Sequence, residues 1–466
     1  MNQDNSIKKD YIWNTIGSAV YALSAVILAF LAMHYAGPDE GGIFGFGFST
    51  FGQQMFIIAY FGIRPFHITD AKHEYAYEDY RKLRVLTAGT AVAAAALYLL
   101  LMMALGHYNA HKASVIFALA LYKIADGIAD LYESECQREG KLYLGGQELT
   151  ARTILAVAAF ALVLVTTGSL LPAAGAAVIV HAAVILFFRG YVKRKVVNTA
   201  AVEAAEPAGG NVTAANAAGA KAAADAGERA SLLLTPEAKA LFMSTVLLFL
   251  SVFVDFYIFS ASKYAIDLHL TDADSGIFNI LFMPTSVIYL VANFIIRPYM
   301  TRLAEIYENA DFPRYQKIIR ILAVYIVILS ALAIGGTLIV GRWVLMLFEG
   351  ILGEQYYGEL IKHHWDFVLI IAGGCCYAMT NLFYYILIIM RQQKMIFFNY
   401  VLMAVVAYII TKRAVTGFGM EGAATAYPLY MLLTMLVFIS TYHKELRKEK
   451  ERRAEETQSY GGFPKR

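Results

Sequence analysis

The chain has 466 residues, 59% hydrophobic and 16% charged, with 39 Lys plus Arg against 36 Asp plus Glu and a mean hydropathy of +0.53. A soluble globule carries about 25% charged residues, so most of this surface faces something other than water. A net charge of +3 gives no case for nucleic-acid binding, and the three cysteines, Cys136, Cys375 and Cys376, have neither the number nor the spacing for a disulfide framework or a metal cluster.

The polar start MNQDNSIKKD leads into an apolar run too long for the core of a cleaved signal, so the first segment is expected to stay in the membrane. A spanning helix needs about 20 mostly apolar residues to cross about 30 Å of hydrocarbon. Segments of that kind fall at 11–36, 41–62, 83–105, 113–133, 150–167 and 172–188 in the first half of the chain. In the second half they fall at 238–260, 276–296, 318–340, 366–390, 395–411 and 422–442. The expected fold is therefore all-α and polytopic, with about twelve spans. Amphipathic 343–348 is expected to lie in the interface, and Tyr11, Trp13, Trp365 and Tyr442 suit the headgroup belt.

Lys and Arg set the orientation. With both termini cytoplasmic, about 32 of the 39 basic residues fall on the inside, in keeping with the positive-inside rule. Residues 198–235 form an Ala/Gly-rich stretch with no apolar periodicity, read as a cytoplasmic linker. Within it Asn211-Val212-Thr213 matches a glycosylation acceptor by chance. The expected organisation is a six-helix lobe at 1–197, the linker at 198–235, a second six-helix lobe at 236–443 and a basic cytoplasmic tail at 444–466.

The two lobes carry an internal repeat. Glu40-Gly41-Gly42-Ile43-Phe44 opens the second span, and Asp274-Ser275-Gly276-Ile277-Phe278 opens the eighth. These spans close with Ile63-Arg64-Pro65-Phe66 and Ile296-Arg297-Pro298-Tyr299. An even number of spans in each half gives both the same orientation, and parallel repeats of this kind imply a cavity between halves that rock.

Ionisable residues in a span are costly and call for a partner or a water-filled cavity. The fourth span places Lys123, Asp126, Asp130 and Glu133 at spacings of three, four and three, on one helical face. One reading is a hydrophilic cavity wall in which Lys123 meets an anionic group; the other is an interhelical salt-bridge network that locks the bundle. Asp255 is a lone acid in the seventh span, suited to a coupling cation or proton, or to hydroxyls on a neighbouring helix. Gln53, Gln54, Asn14, Asn293 and Asn381 are candidates for the same cavity or for interhelical glue. Arg64 and Arg297, at equivalent helix ends, are candidates for gripping a diphosphate or for snorkelling to lipid phosphates. No Walker sequence or metal-ligand spacing is present, so no catalytic role is expected.

The stretches NTIGSAVYALSAVILAFLAMHYAG, EGGIFGFGFSTFGQQMFIIAYFGIRPFHITD, KIADGIADLYESECQREGKLYLGGQ and VLMLFEGILGEQYYGELIKHHWDFVLIIAGG resemble Wzx-type oligosaccharide flippases of the multidrug/oligosaccharidyl-lipid/polysaccharide (MOP) superfamily. The resemblance implies a V-shaped pair of six-helix lobes around a hydrophilic cavity, moving undecaprenyl-diphosphate-linked glycans to the outer leaflet. It implies that Lys123, Arg64 and Arg297 meet the diphosphate and that Asp255 serves ion coupling by H+ or Na+, with no other cofactor. The implied partners are the lipid-linked oligosaccharide, membrane lipids and polysaccharide assembly proteins. The long linker departs from the compact one the resemblance implies. A multidrug exporter of the same fold is the alternative transporter; a membrane scaffold or a membrane glycosyltransferase is the reading from a different class.

Overall fold

The computed structural model describes residues 2–70, 75–192 and 236–460. The Ala/Gly-rich segment 198–235 and the end of the tail at 461–466 lie outside the described residues. Every regular element that is described is a helix. In chain order these are α1 (Asn2–Ala36), α2 (Pro38–Phe46), a π-helical segment (Gly47–Phe51), α3 (Gly52–Tyr60), α4 (Arg64–Thr69) and α5 (Tyr77–Ala104). Then come α6 (Ala110–Arg138), α7 (Leu142–Thr167), α8 (Leu170–Val192), α9 (Pro236–His269), α10 (Asp272–Ile296) and α11 (Met300–Glu308). The last are α12 (Phe312–Leu352), α13 (His364–Ile389) and α14 (Gln393–Tyr460).

Each expected span overlaps one or more of these helices. Nine described helices are long and apolar enough to cross a membrane by length and composition. Expected spans missing from that set have local reasons. The π-helical turn divides Pro38–Tyr60, and α6 carries too many charges. In α14, Gly419 at φ 60° breaks the helix between the expected spans at 395–411 and 422–442. The interfacial segment expected at 343–348 is not separate: α12 runs unbroken for 41 residues through it, because no proline or left-handed residue interrupts the run.

Helix ends follow elementary capping chemistry. Asn109 accepts a hydrogen bond from the Lys112 N–H at 2.8 Å and starts α6. Thr271 and Asp274 form a reciprocal capping box at the start of α10. Large apolar side chains such as Phe187 (80% exposed) and Ile339 (74%) stand on the outside, as a lipid-facing surface requires.

The chain forms two compact units. The first comprises Met1–Ala36 and Gly47–Phe249; the second comprises Gly37–Phe46 and Leu250–Arg466. In the first, α6 is packed by α3, α5, α7 and α8 and is buried on most faces, which is why it tolerates charge. Leu241, Phe242 and Phe249 of α9 join its core, where Phe61 stacks on both phenylalanines.

In the second unit the two copies of the repeat meet. A Cβ on Gly42 would lie 1.6 Å from the Asp272 carbonyl oxygen and 3.1 Å from the Gly276 nitrogen. One turn on, a Cβ on Gly45 would lie 3.2 Å from the Asn279 side chain. Gly42 corresponds to Gly276 in the repeat, and Gly45 to Asn279. Helices α2 and α10 therefore cross at equivalent positions, and glycine permits the close approach. The tail part of α14 packs on α11 and the start of α12: Lys450 donates to Gln316 at 3.0 Å, and Arg453 lies over Tyr307 and Phe312. Its hydrogen bonds to Arg452 and Arg453 hold the Glu449 carboxyl below the usual range.

Candidate functional site

The first unit holds a buried charge network on α6. Asp126, 5% exposed, accepts from the Tyr21 hydroxyl at 2.9 Å and pairs with Arg152. His181 Nε2 lies 3.1 Å from its other oxygen, and Lys123 Nζ lies 3.9 Å away. Lys123 also donates to the Tyr21 oxygen at 3.1 Å and sits 4.0 Å over the Phe48 ring. Its stem has room because a Cβ at Gly52 would lie 3.0 Å from Lys123 Cγ.

One turn further, Asp130 accepts from Arg64 and from Arg84, each at 2.7 Å. Arg84 also donates to the Ala59 and Tyr60 carbonyls, which tethers the end of α3. Glu133 accepts from Arg152 at 3.0 Å and from Arg64 at 3.3 Å, while Glu148 lies 2.7 Å from Arg152 Nε. The cations Lys123, Arg64, Arg84 and Arg152 thus face the carboxylates Asp126, Asp130, Glu133 and Glu148 in equal number. In a low-dielectric interior such balance is what makes the burial affordable. Beyond it, His67 and Arg138 both bind Glu135, each at 2.8 Å.

The second unit holds a different arrangement. Asp255 accepts from the Tyr377 hydroxyl at 2.8 Å and also bonds to Tyr400, with Tyr289 and Tyr384 nearby. Tyrosine hydroxyls are its hydrogen-bond partners; no described cation pairs with it. Asn293 accepts from Asn381 at 3.2 Å and from Tyr385 at 3.3 Å. Eight residues beyond Asp255, about 12 Å along α9, Lys263 is 6% exposed and lies 4.2 Å over the Phe282 ring. Among the described residues no carboxylate pairs with Lys263. The buried Ser260 and Tyr427 hydroxyls have no hydrogen-bond partner.

The sequence-predicted residues divide accordingly. Lys123, Asp126, Asp130 and Arg64 come together in one network. Gln54 is buried and Gln53 half-buried on α3, whereas Asn14 is exposed. Arg297 is exposed at the end of α10, so its repeat equivalence to Arg64 does not extend to its surroundings. Residues not singled out from sequence include Arg84, Arg152, Glu148, His181, Tyr21 and Lys263.

A lipid-facing exterior, long apolar helices and charge held inside the bundle define a multi-pass membrane protein. No protein-family model matches the chain, and no curated protein matches it. Solved structures do. A multidrug resistance MATE family transporter of the MOP superfamily, in its inward-facing conformation, aligns at TM-score 0.63 and 12% identity, over 92% of this chain and 96% of that one. The MATE multidrug transporter DinF-BH aligns at TM-score 0.61 and 12% identity, over 94% and 95%. A mutant of the Vibrio cholerae MATE transporter VcmN aligns at TM-score 0.51 and 13% identity, over 96% and 98%. The chain shares the all-helical fold of these solved structures.

Proposed function

We propose that the protein is a flippase, moving an undecaprenyl-diphosphate-linked oligosaccharide from the cytoplasmic to the outer leaflet of the cytoplasmic membrane by alternating access. Lys263 carries this reading. An ammonium buried among aromatic rings without a carboxylate is stabilised by an anion that arrives and leaves, and a diphosphate supplies one. Exposed Arg297 is the position suited to first contact with the diphosphate at the membrane edge. The α6 network, with Lys123, Asp126, Asp130 and Arg64, acts in this reading as the polar wall that Gln53 and Gln54 extend. Asp255 is the candidate for H+ or Na+ coupling, because its tyrosine partners leave its charge uncompensated. Cytoplasmic termini belong to the same proposal, supported by the distribution of Lys and Arg.

One observation favours a second reading. Asp255 in a box of Tyr289, Tyr377, Tyr384 and Tyr400 has the chemistry that holds an organic cation, which supports multidrug export. The experiment that separates the two uses proteoliposomes with a labelled undecaprenyl-diphosphate oligosaccharide, its exposure read by an impermeant sugar-modifying enzyme. Protein-dependent exposure that is lost in Lys263→Met supports the flippase. No exposure, with cationic-dye uptake lost in Asp255→Asn, moves the protein to drug export.

A further inference from the structure

The two copies of the repeat differ in length by one residue. Gly42 to Arg64 is 23 residues, and the counterpart Gly276 to Arg297 is 22. Up to Thr50 the copies align without a gap, with Ile43 and Phe44 on Ile277 and Phe278, Phe48 on Phe282 and Thr50 on Pro284. Counted back from the arginines, Ile63, Phe61 and Ala59 align on Ile296, Phe294 and Ala292. The extra residue therefore falls close to Phe51, where the π-helical segment Gly47–Phe51 lies. A π-turn closes its hydrogen bond over five residues instead of four, so it absorbs one inserted residue and keeps the helix in register on either side. The second copy interrupts its helix at the same position by other means: Pro284, inside α10, has no N–H to give the Ile280 carbonyl.

The two sides of the turn are held by different partners. Helix α2 crosses α10 through Gly42 and Gly45 and belongs with it to the second unit, which takes in Gly37–Phe46. The first unit resumes at Gly47. There Phe51 stacks on Tyr98 of α5 at 4.9 Å, and Phe48 lies 5.6 Å from the Tyr122 ring of α6 and carries Lys123 Nζ at 4.0 Å. Glycine bounds the turn for steric reasons: a Cβ on Gly47 would lie 2.9 Å from Leu119 Cδ1, and one on Gly52 2.6 Å from the Gly47 carbonyl oxygen. The Thr50 hydroxyl is buried without a hydrogen-bond partner, so it can take up a backbone carbonyl released when the turn changes. At the other end of α2, Gly37 sits at φ 93°. We propose that the π-turn Gly47–Phe51 is the hinge on which the second span bends, α2 swinging while α3 stays fixed to α5 and α6. Sharp helix kinks gather at π-bulges and prolines, and the chain leaves one unit for the other at this turn, so a change of bend here breaks no packed helix of either. The inference goes beyond the proposed function and holds whichever substrate is carried.

The test is a distance measurement by double electron–electron resonance on the full chain in lipid nanodiscs. Ketone-reactive spin labels are placed at Asp39 on α2 and at His107 beyond the end of α5, both exposed. Asp39 lies 12 residues before Phe51, about 18 Å along a helix. A change of bend of about 20° therefore moves that label by about 6 Å. The wild type is expected to give two distances about that far apart. Deleting Ser49, the half-buried residue of the turn, restores the spacing of the second copy and is expected to leave one distance. Should the deletion fold poorly, Gly52→Ala reads the same turn, because its Cβ would press on the Gly47 carbonyl. It is expected to change the ratio of the two populations at least threefold. A single distance in the wild type overturns the proposal. So do two unchanged distances in the folded deletion variant, or a wild-type ratio in Gly52→Ala.

Discussion

Arg152 offers the sharpest test of the α6 network. It is 1% exposed and joins Asp126, Glu133 and Glu148. Replacing it with Met keeps the apolar stem and removes the charge, leaving those carboxylates facing one another with Lys123, His181 and Arg64 as the remaining partners of Asp126 and Glu133. Removing one member of a buried ion pair costs about 3–5 kcal/mol, because the other charge stays buried and uncompensated. For a unit of roughly 200 residues each kcal/mol shifts the melting temperature by about 2–4 °C, so the expected drop is about 6–20 °C. Adding Glu148→Gln to Arg152→Met restores the balance at three cations against three carboxylates, and should recover at least half of that drop. The assay is thermal melting of purified protein in detergent, followed by size-exclusion chromatography. A single variant that melts within 2 °C of wild type, or a double variant no better than the single, would refute the view that these carboxylates are buried as charges.

Other predictions follow from the same geometry. Lys263→Met should melt higher than wild type, by up to about 2.5–3.5 kcal/mol on insertion scales, while losing transport of the diphosphate-linked glycan; unchanged transport would remove Lys263 from the substrate path. Asp255→Asn should leave folding intact and abolish the response of transport to an ion gradient, and Tyr377→Phe should weaken that response by removing the 2.8 Å hydrogen bond; a full response in Asp255→Asn would exclude it as the coupling site. Gly42→Ala should cost at least about 3 kcal/mol, since its Cβ would fall 1.6 Å from the Asp272 oxygen. Gly335→Ala, which meets nothing within 4 Å, should gain about 0.5–1 kcal/mol, and the pair can be compared by melting.

Much of this architecture can be read from the sequence, because a membrane span is an unusually plain signal: a helix length of apolar residues with polar ends. The charged stripe of α6 was equally visible, since its spacing places Lys123, Asp126, Asp130 and Glu133 on one face. Its partners were not. Arg84 and Arg152 lie near helix ends, where basic residues are counted as cytoplasmic charge; only the packing shows that both turn inward to α6. His181 is the one polar interruption in the run VIVHAAV, which marks it as a polar group inside a span. Lys263 escaped because the expected span ended at 260, whereas α9 continues to His269 without a break. In each case the missing information is which way a side chain turns, and that is decided by neighbours far away in the chain.

The crossing of α2 and α10 has a consequence for how the two copies of the repeat have diverged. When two identical chains pair about a twofold axis, residue i of one meets residue j of the other and j meets i, so any substitution is felt twice. With both copies in one chain, the counterparts are free to specialise. Gly45 supplies empty space, and Asn279, its counterpart, supplies the bulk that fills it. Exchanging the pentapeptide at 41–45 for the one at 275–279 would set asparagine against asparagine and close the gap on both sides. Gly45 and Asn279 are therefore not interchangeable: one leaves the space that the other occupies.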